Sequence, residues 1–79
     1  MKIRYYDADK KSYVSHEGKI IRSGAGAGAG PEYGVLYQLT DGRYLGGVRR
    51  RDRGDLMTEV RYADSERDAM PARWAIKRL

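Results

Sequence analysis

Apolar and polar positions alternate over the first residues, with Met1, Ile3 and Tyr5 on one side and Lys2, Arg4 and Tyr6 on the other. A period of two is that of a half-buried strand. Asp7-Ala8-Asp9-Lys10 has turn chemistry, and Lys11–Ser15 returns as a second strand. His16-Glu17-Gly18-Lys19 is a further turn signal before the short apolar run Ile20-Ile21. Residues 1–23 are therefore expected to form a strand meander.

The clearest element is Tyr33–Arg49, where Asp41-Gly42 separates two apolar-rich runs and marks a hairpin. A two-residue turn places Thr40 opposite Arg43 and Leu39 opposite Tyr44. Val35, Tyr37, Leu39, Tyr44 and Val48 then share the expected core face. Leu36, Gln38, Thr40, Arg43, Leu45 and Arg49 share the other. Gly46-Gly47 interrupts the return strand and predicts a bulge or a close backbone approach. Leu56–Tyr62 alternates again as a strand, so Arg49-Arg50-Arg51-Asp52-Arg53-Gly54-Asp55 becomes a charged hairpin tip.

The chain's end has a helical period, with Ala72, Ala75, Ile76 and Leu79 on one face and Trp74 at its border. Ser65 or Asp68 can cap such a helix, and Pro71 is tolerated only in its first turn. The expected fold class is α+β, with one small antiparallel sheet of about five to six short strands. A C-terminal helix over 68–79 packs on the open face of that sheet. Residues 1–79 read as a single domain. The tract Gly24-Ala25-Gly26-Ala27-Gly28-Ala29-Gly30 with Pro31 reads as a flexible loop or linker over 24–31, natural or engineered alike.

Composition narrows the function. Phe and Cys are absent, and seven Tyr with Trp74 supply most of the large apolar surface. Without cysteine there is neither a disulfide nor a thiolate metal site, and His16 alone builds no zinc site. A domain this lean often needs a staple, which makes a homodimer an expectation. Asp7-Ala8-Asp9 fails as a calcium loop, because Lys11 and Ser12 stand where an acid and a glycine are required. No cofactor is expected. The glycine tract ends Gly30-Pro31-Glu32 and matches neither a phosphate loop nor a dinucleotide fingerprint. No apolar run is near membrane-spanning length, and no signal-like block starts the chain, so a cytoplasmic protein that avoids membranes is expected.

The net charge of +5 changes the picture most. Arg43, Arg49, Arg50, Arg51 and Arg53 stand against Asp52 alone in residues 43–53, so the basic character is concentrated there. These five arginines are the candidate contacts, with Lys10, Lys11 and Tyr44 as secondary ones. Tyr33, Tyr37 and Tyr62 are further rings that could stack on bases if they face outward. Nucleic-acid phosphates and an acidic protein surface fit the arginines equally well. A silent, solvated loop is the plainer reading. Arg53-Gly54-Asp55 resembles an adhesion tripeptide, a coincidence in an arginine-rich turn.

The run Tyr62-Ala63-Asp64-Ser65-Glu66-Arg67-Asp68-Ala69 resembles the strand-to-helix junction of small sheet-plus-helix modules. The arm-site DNA-binding domains of tyrosine recombinases are among these. Size and charge resemble the small accessory proteins of phages and mobile elements, many of which inhibit host nucleic-acid machinery, including CRISPR effectors. The expected function is non-enzymatic binding of nucleic acid, or of a nucleic-acid-handling complex, through the arginine hairpin. The alternatives are an inhibitor docking on an acidic surface of a host defence protein, in the cytoplasm of a phage-infected cell, and a small nuclease using His16.

Overall fold

A computed structural model describes residues 1–25, 31–52, 56–71 and 77–78. The chain forms β1 (Lys2–Asp7), β2 (Ser12–Ala25), β3 (Glu32–Leu39), β4 (Tyr44–Arg50), β5 (Leu56–Ala63), α1 (Glu66–Ala69) and β6 (Lys77–Arg78). From β1 to β5 each strand pairs antiparallel with the next. The first and last of five such strands run the same way. Closure is therefore a parallel pair, Arg4 beside Leu56 and Tyr5 beside Met57. The result is a closed five-stranded barrel, not an open sheet. Closure removes the sheet edges that an open sheet must protect by other means.

The strand alternation of β1 is as expected: Ile3 and Tyr5 are buried, while Lys2, Arg4 and Tyr6 are exposed. The turn signal around Gly18 is not a turn. Strand β2 runs through it and changes partner there, pairing with β1 up to Glu17 and with β3 from Gly18 onward. One long bent strand thus serves both sides of the barrel. It continues through Gly24 and Ala25, which pair with Gly34 and Tyr33, so the expected loop begins later than residue 24.

The β3–β4 hairpin forms with a different register. The amide of Leu39 donates to the carbonyl of Arg43, and that of Gly42 donates to Leu39. Gly42 has a φ of 89°, a left-handed conformation that glycine adopts without steric cost. The loop is therefore the three residues Thr40, Asp41 and Gly42, and Gln38 faces Tyr44. One residue of slip moves the whole return strand to its other face. Leu45 joins Ile3, Tyr5, Val35, Tyr37, Leu39 and Met57 in the barrel core, and the expected core residues Tyr44 and Val48 do not.

Leu36 and Val48 lie outside the barrel and are still buried, at 0% and 1% exposure. Helix α1 covers this side. A side chain at Gly46 would run into the Ala69 backbone, so the glycine is what lets the helix lie down. Arg22 on β2 ties the helix further, its Nε 3.1 Å from Oε1 of Glu66. The bulge expected at Gly46-Gly47 is present: the β4–β5 register shifts between Gly46 and Val48. Glu59 carries a φ of 52° at the same place on β5.

The expected α+β class, a C-terminal helix packed on an open sheet, is overturned: the described residues are nearly all strand, with one four-residue helix. Ser65 does cap a helix, its Oγ accepting from the amide of Asp68 at 3.2 Å. The helix ends at Ala69, because Met70 is extended at φ −70° and ψ 131°. A residue before proline is pushed out of the helical region, and Pro71 follows Met70. Lys77 and Arg78 form a strand on β2, opposite Ser23 and Arg22. The expected stripe of Ala72, Ala75, Ile76 and Leu79, together with Trp74, lies outside the described residues. No helix among the described residues is long and apolar enough to cross a membrane.

Candidate nucleic-acid interface

The candidate arginines do not form one patch. Arg43 precedes β4 and Arg50 ends it. At about 3.3 Å per residue the seven-residue strand holds them roughly 23 Å apart. Arg43 sits 2.6 Å through its Nε from Oδ1 of Asp64, and its guanidinium lies 5.0 Å above the Tyr62 ring. The Tyr62 hydroxyl, then Asp64, holds its pKa above the ordinary guanidinium range.

At the far end of β4, Arg49 turns inward. Its Nη1 donates to the hydroxyl of Tyr37 at 2.7 Å, and Tyr37 is 2% exposed. Arg50 forms a fork on Asp52, with Nε and Nη2 each 3.0 Å from a carboxylate oxygen, and Glu32 stands 3.9 Å away. Asp52, hydrogen-bonded to it, raises its pKa. Arg51 is exposed and lies 5.1 Å over the ring of Tyr33. Arg53 and the Arg53-Gly54-Asp55 tripeptide are outside the described residues. Arg43, Arg49 and Arg50 are thus engaged within the chain, and Arg51 is the one described cation of this tip resting only on a ring.

The secondary candidates divide. Tyr44 is half-buried on the outer side of β4, opposite Gln38 and Ala63. Lys10 and Lys11 are exposed in the β1–β2 turn, which is held by Asp7: its Oδ1 accepts from the amides of Asp9 and Lys10 at 2.9 and 3.2 Å.

That hairpin carries a surface the charge count passed over. Tyr6 faces Tyr13 across β1 and β2, and their rings meet edge to face at 5.2 Å. They are exposed at 49% and 57%. The Arg4 guanidinium lies 4.8 Å over the Tyr13 ring. Lys2 shares this side of β1, and Lys10 and Lys11 flank it at the turn. The two exposed rings and four cations stand on a rigid strand pair. The alternation of residues 1–6 already put Lys2, Arg4 and Tyr6 on one side. What it could not supply was Tyr13, which arrives through the cross-strand register.

A separate network joins the inner side of β2 to the β3–β4 hairpin. His16 stacks on Tyr62 at 5.1 Å and on Tyr5 at 5.9 Å. The Tyr62 hydroxyl donates to Oδ2 of Asp41 at 2.7 Å, while the amide of Arg43 donates to Oδ1. The backbone bond from Arg43, then that hydroxyl, lowers the Asp41 pKa. His16 is half-buried between these rings, with its Nε2 3.5 Å from the Tyr5 hydroxyl. Among the described residues no three side chains cluster as metal ligands. Comparison with family models, with curated proteins and with solved structures finds no match.

Proposed function

We propose that the protein binds single-stranded nucleic acid, without catalysis of its own, through the outer face of the β1–β2 hairpin. The observation that carries this reading is the exposed Tyr6–Tyr13 pair beside Arg4. Base stacking on aromatic side chains contributes about 1–3 kcal/mol per base, and it needs bases freed from a duplex. The cations Lys2, Arg4, Lys10 and Lys11 bracket the rings and serve the phosphates. Arg51 on Tyr33 repeats the pairing of guanidinium and ring elsewhere on the barrel. The arginine tip then supports the fold more than the interface, since Arg49 and Arg50 are already spoken for.

The test is fluorescence anisotropy with a labelled single strand at about 50 and 200 mM salt. Four phosphate contacts on a single strand predict a log–log slope of about −2 to −3. A duplex of the same sequence binds more weakly, because its bases are stacked on one another. No measurable affinity at the lower salt overturns the reading. It would favour the rival in which the same face docks on an acidic protein surface, such as that of a host defence effector.

A further inference from the structure

Hydrogen bonding between β1 and β5 stops at Tyr5 and Met57, and the two strands then part. A slot of about 540 Å³ opens in the barrel wall beyond that point. Its floor is apolar and aromatic, made by Tyr5 and Met57, which are 8% and 2% exposed. Tyr62 and Tyr6 line it too, and Tyr6 is the same residue that forms half of the exposed platform. The slot and the platform are therefore continuous.

Asp9 and Glu59 also line the slot. Carboxylates repel phosphate, so the strand's backbone has no reason to enter here. A base does: it is flat, fits an aromatic floor, and can offer N–H groups to an oxygen acceptor. The four bases differ in what they offer. Guanine presents two parallel donors, N1–H and N2–H, which match the two oxygens of one carboxylate. Cytosine and adenine present one amino group beside a ring acceptor. Uracil and thymine present one N–H between two carbonyls that a carboxylate repels.

Resting on the single-strand reading above, we infer that the slot holds one unstacked guanine of the bound strand, with Asp9 reading its Watson–Crick edge. The neighbouring bases lie on Tyr6 and Tyr13. A good bidentate pair discriminates among bases by roughly five- to a hundred-fold.

Anisotropy with four labelled heptamers tests this: a run of seven uridines, and the same run with a central guanosine, adenosine or cytidine. The guanosine strand is expected to bind at least about five-fold more tightly than the others. Inosine at the centre lacks the 2-amino group and should lose most of that gain with the protein unaltered. In the Asp9→Asn protein, the guanosine and uridine strands should bind alike, with uridine-strand affinity kept. Equal binding of all four strands by the unaltered protein overturns the slot inference and leaves the interface reading standing. So does a guanosine preference that survives inosine and the Asp9→Asn substitution. Failure of every strand to bind takes both down.

Discussion

Residues 43–53 and the β1–β2 hairpin both carry several cations, and the fold puts them to different uses. In the first region the arginines are adjacent in sequence and dispersed in space. Arg43 serves the hairpin turn with Asp64 and Tyr62, Arg49 serves the barrel core through Tyr37, and Arg50 is held by Asp52. In the second region the cations run from Lys2 to Lys11, on β1 and the β1–β2 turn, and strand pairing sets two exposed rings beside them. Local charge density shows where cations are made, whereas register decides which of them face a partner.

The largest effect should come from emptying the aromatic platform. Tyr6→Ala together with Tyr13→Ala removes two stacking rings, which predicts a loss of about 2–6 kcal/mol in single-strand affinity. Thermal melting should change little, since such an exposed pair contributes about 0.2–1 kcal/mol to a hairpin. If affinity is kept, the contrast between the two regions is wrong.

Next in size is Arg49→Ala. It strips the buried Tyr37 hydroxyl of a charged donor and should cost about 1.5–3 kcal/mol of stability in urea unfolding. Oligonucleotide affinity should stay within about two-fold once the protein is folded, because charges beyond about a Debye length from the bound strand are screened. The reverse pattern would make Arg49 a contact and return the interface to the arginine tip.

Releasing Arg50 sharpens the comparison at smaller scale. Asp52→Asn frees the fork and should steepen the salt slope by at most about 0.7, the increment of one phosphate on a single strand. A larger change would show that the tip already lies along the nucleic acid.

The smallest effects are in pH, and the groups bonded to Arg49 and to Arg43, Tyr37 and Asp41, should differ in sign. Burial raises the Tyr37 pKa, against the pull of Arg49. A raised tyrosine stays neutral when folded after the unfolded chain has begun to ionise. Its contribution is full below about pH 10 and is lost as pH rises further. Asp41 is lowered, so its contribution is present above the ordinary aspartate range near pH 4 and is lost as pH falls through its depressed value. Alkaline melts of Tyr37→Phe and acid melts of Asp41→Asn, each against the unaltered protein, should show the two sensitivities removed separately.

Much of the local structure was legible in the residue pattern. The strands around Ile3, Val35 and Val60, the hairpin at Asp41-Gly42, the Gly46-Gly47 irregularity and the Ser65 cap all follow from short-range chemistry. The register of the hairpin did not. A two-residue and a three-residue loop both suit Asp-Gly, and only the packing of Leu45 against Tyr37 selects between them. The helix that begins after Ser65 stops before Pro71, which holds Met70 extended, and Lys77 and Arg78 pair as a strand instead. Of the candidate site, Arg43 to Arg51 were visible as charges, but their partners Asp64, Tyr37 and Asp52 were not.

The sequence by itself determined that this chain makes strands, turns at Asp7–Lys10 and Asp41-Gly42, and carries its charge excess in residues 43–53. Those are consequences of period, turn chemistry and counting, which act within a few residues. Only the tertiary structure decided that five strands close into a barrel, that β2 bends to serve two neighbours, and that Arg49 points inward. It alone set Tyr13 beside Tyr6 and Arg4 on an open face. Closure and cross-strand register depend on contacts between residues far apart in the chain, where no local pattern carries the information.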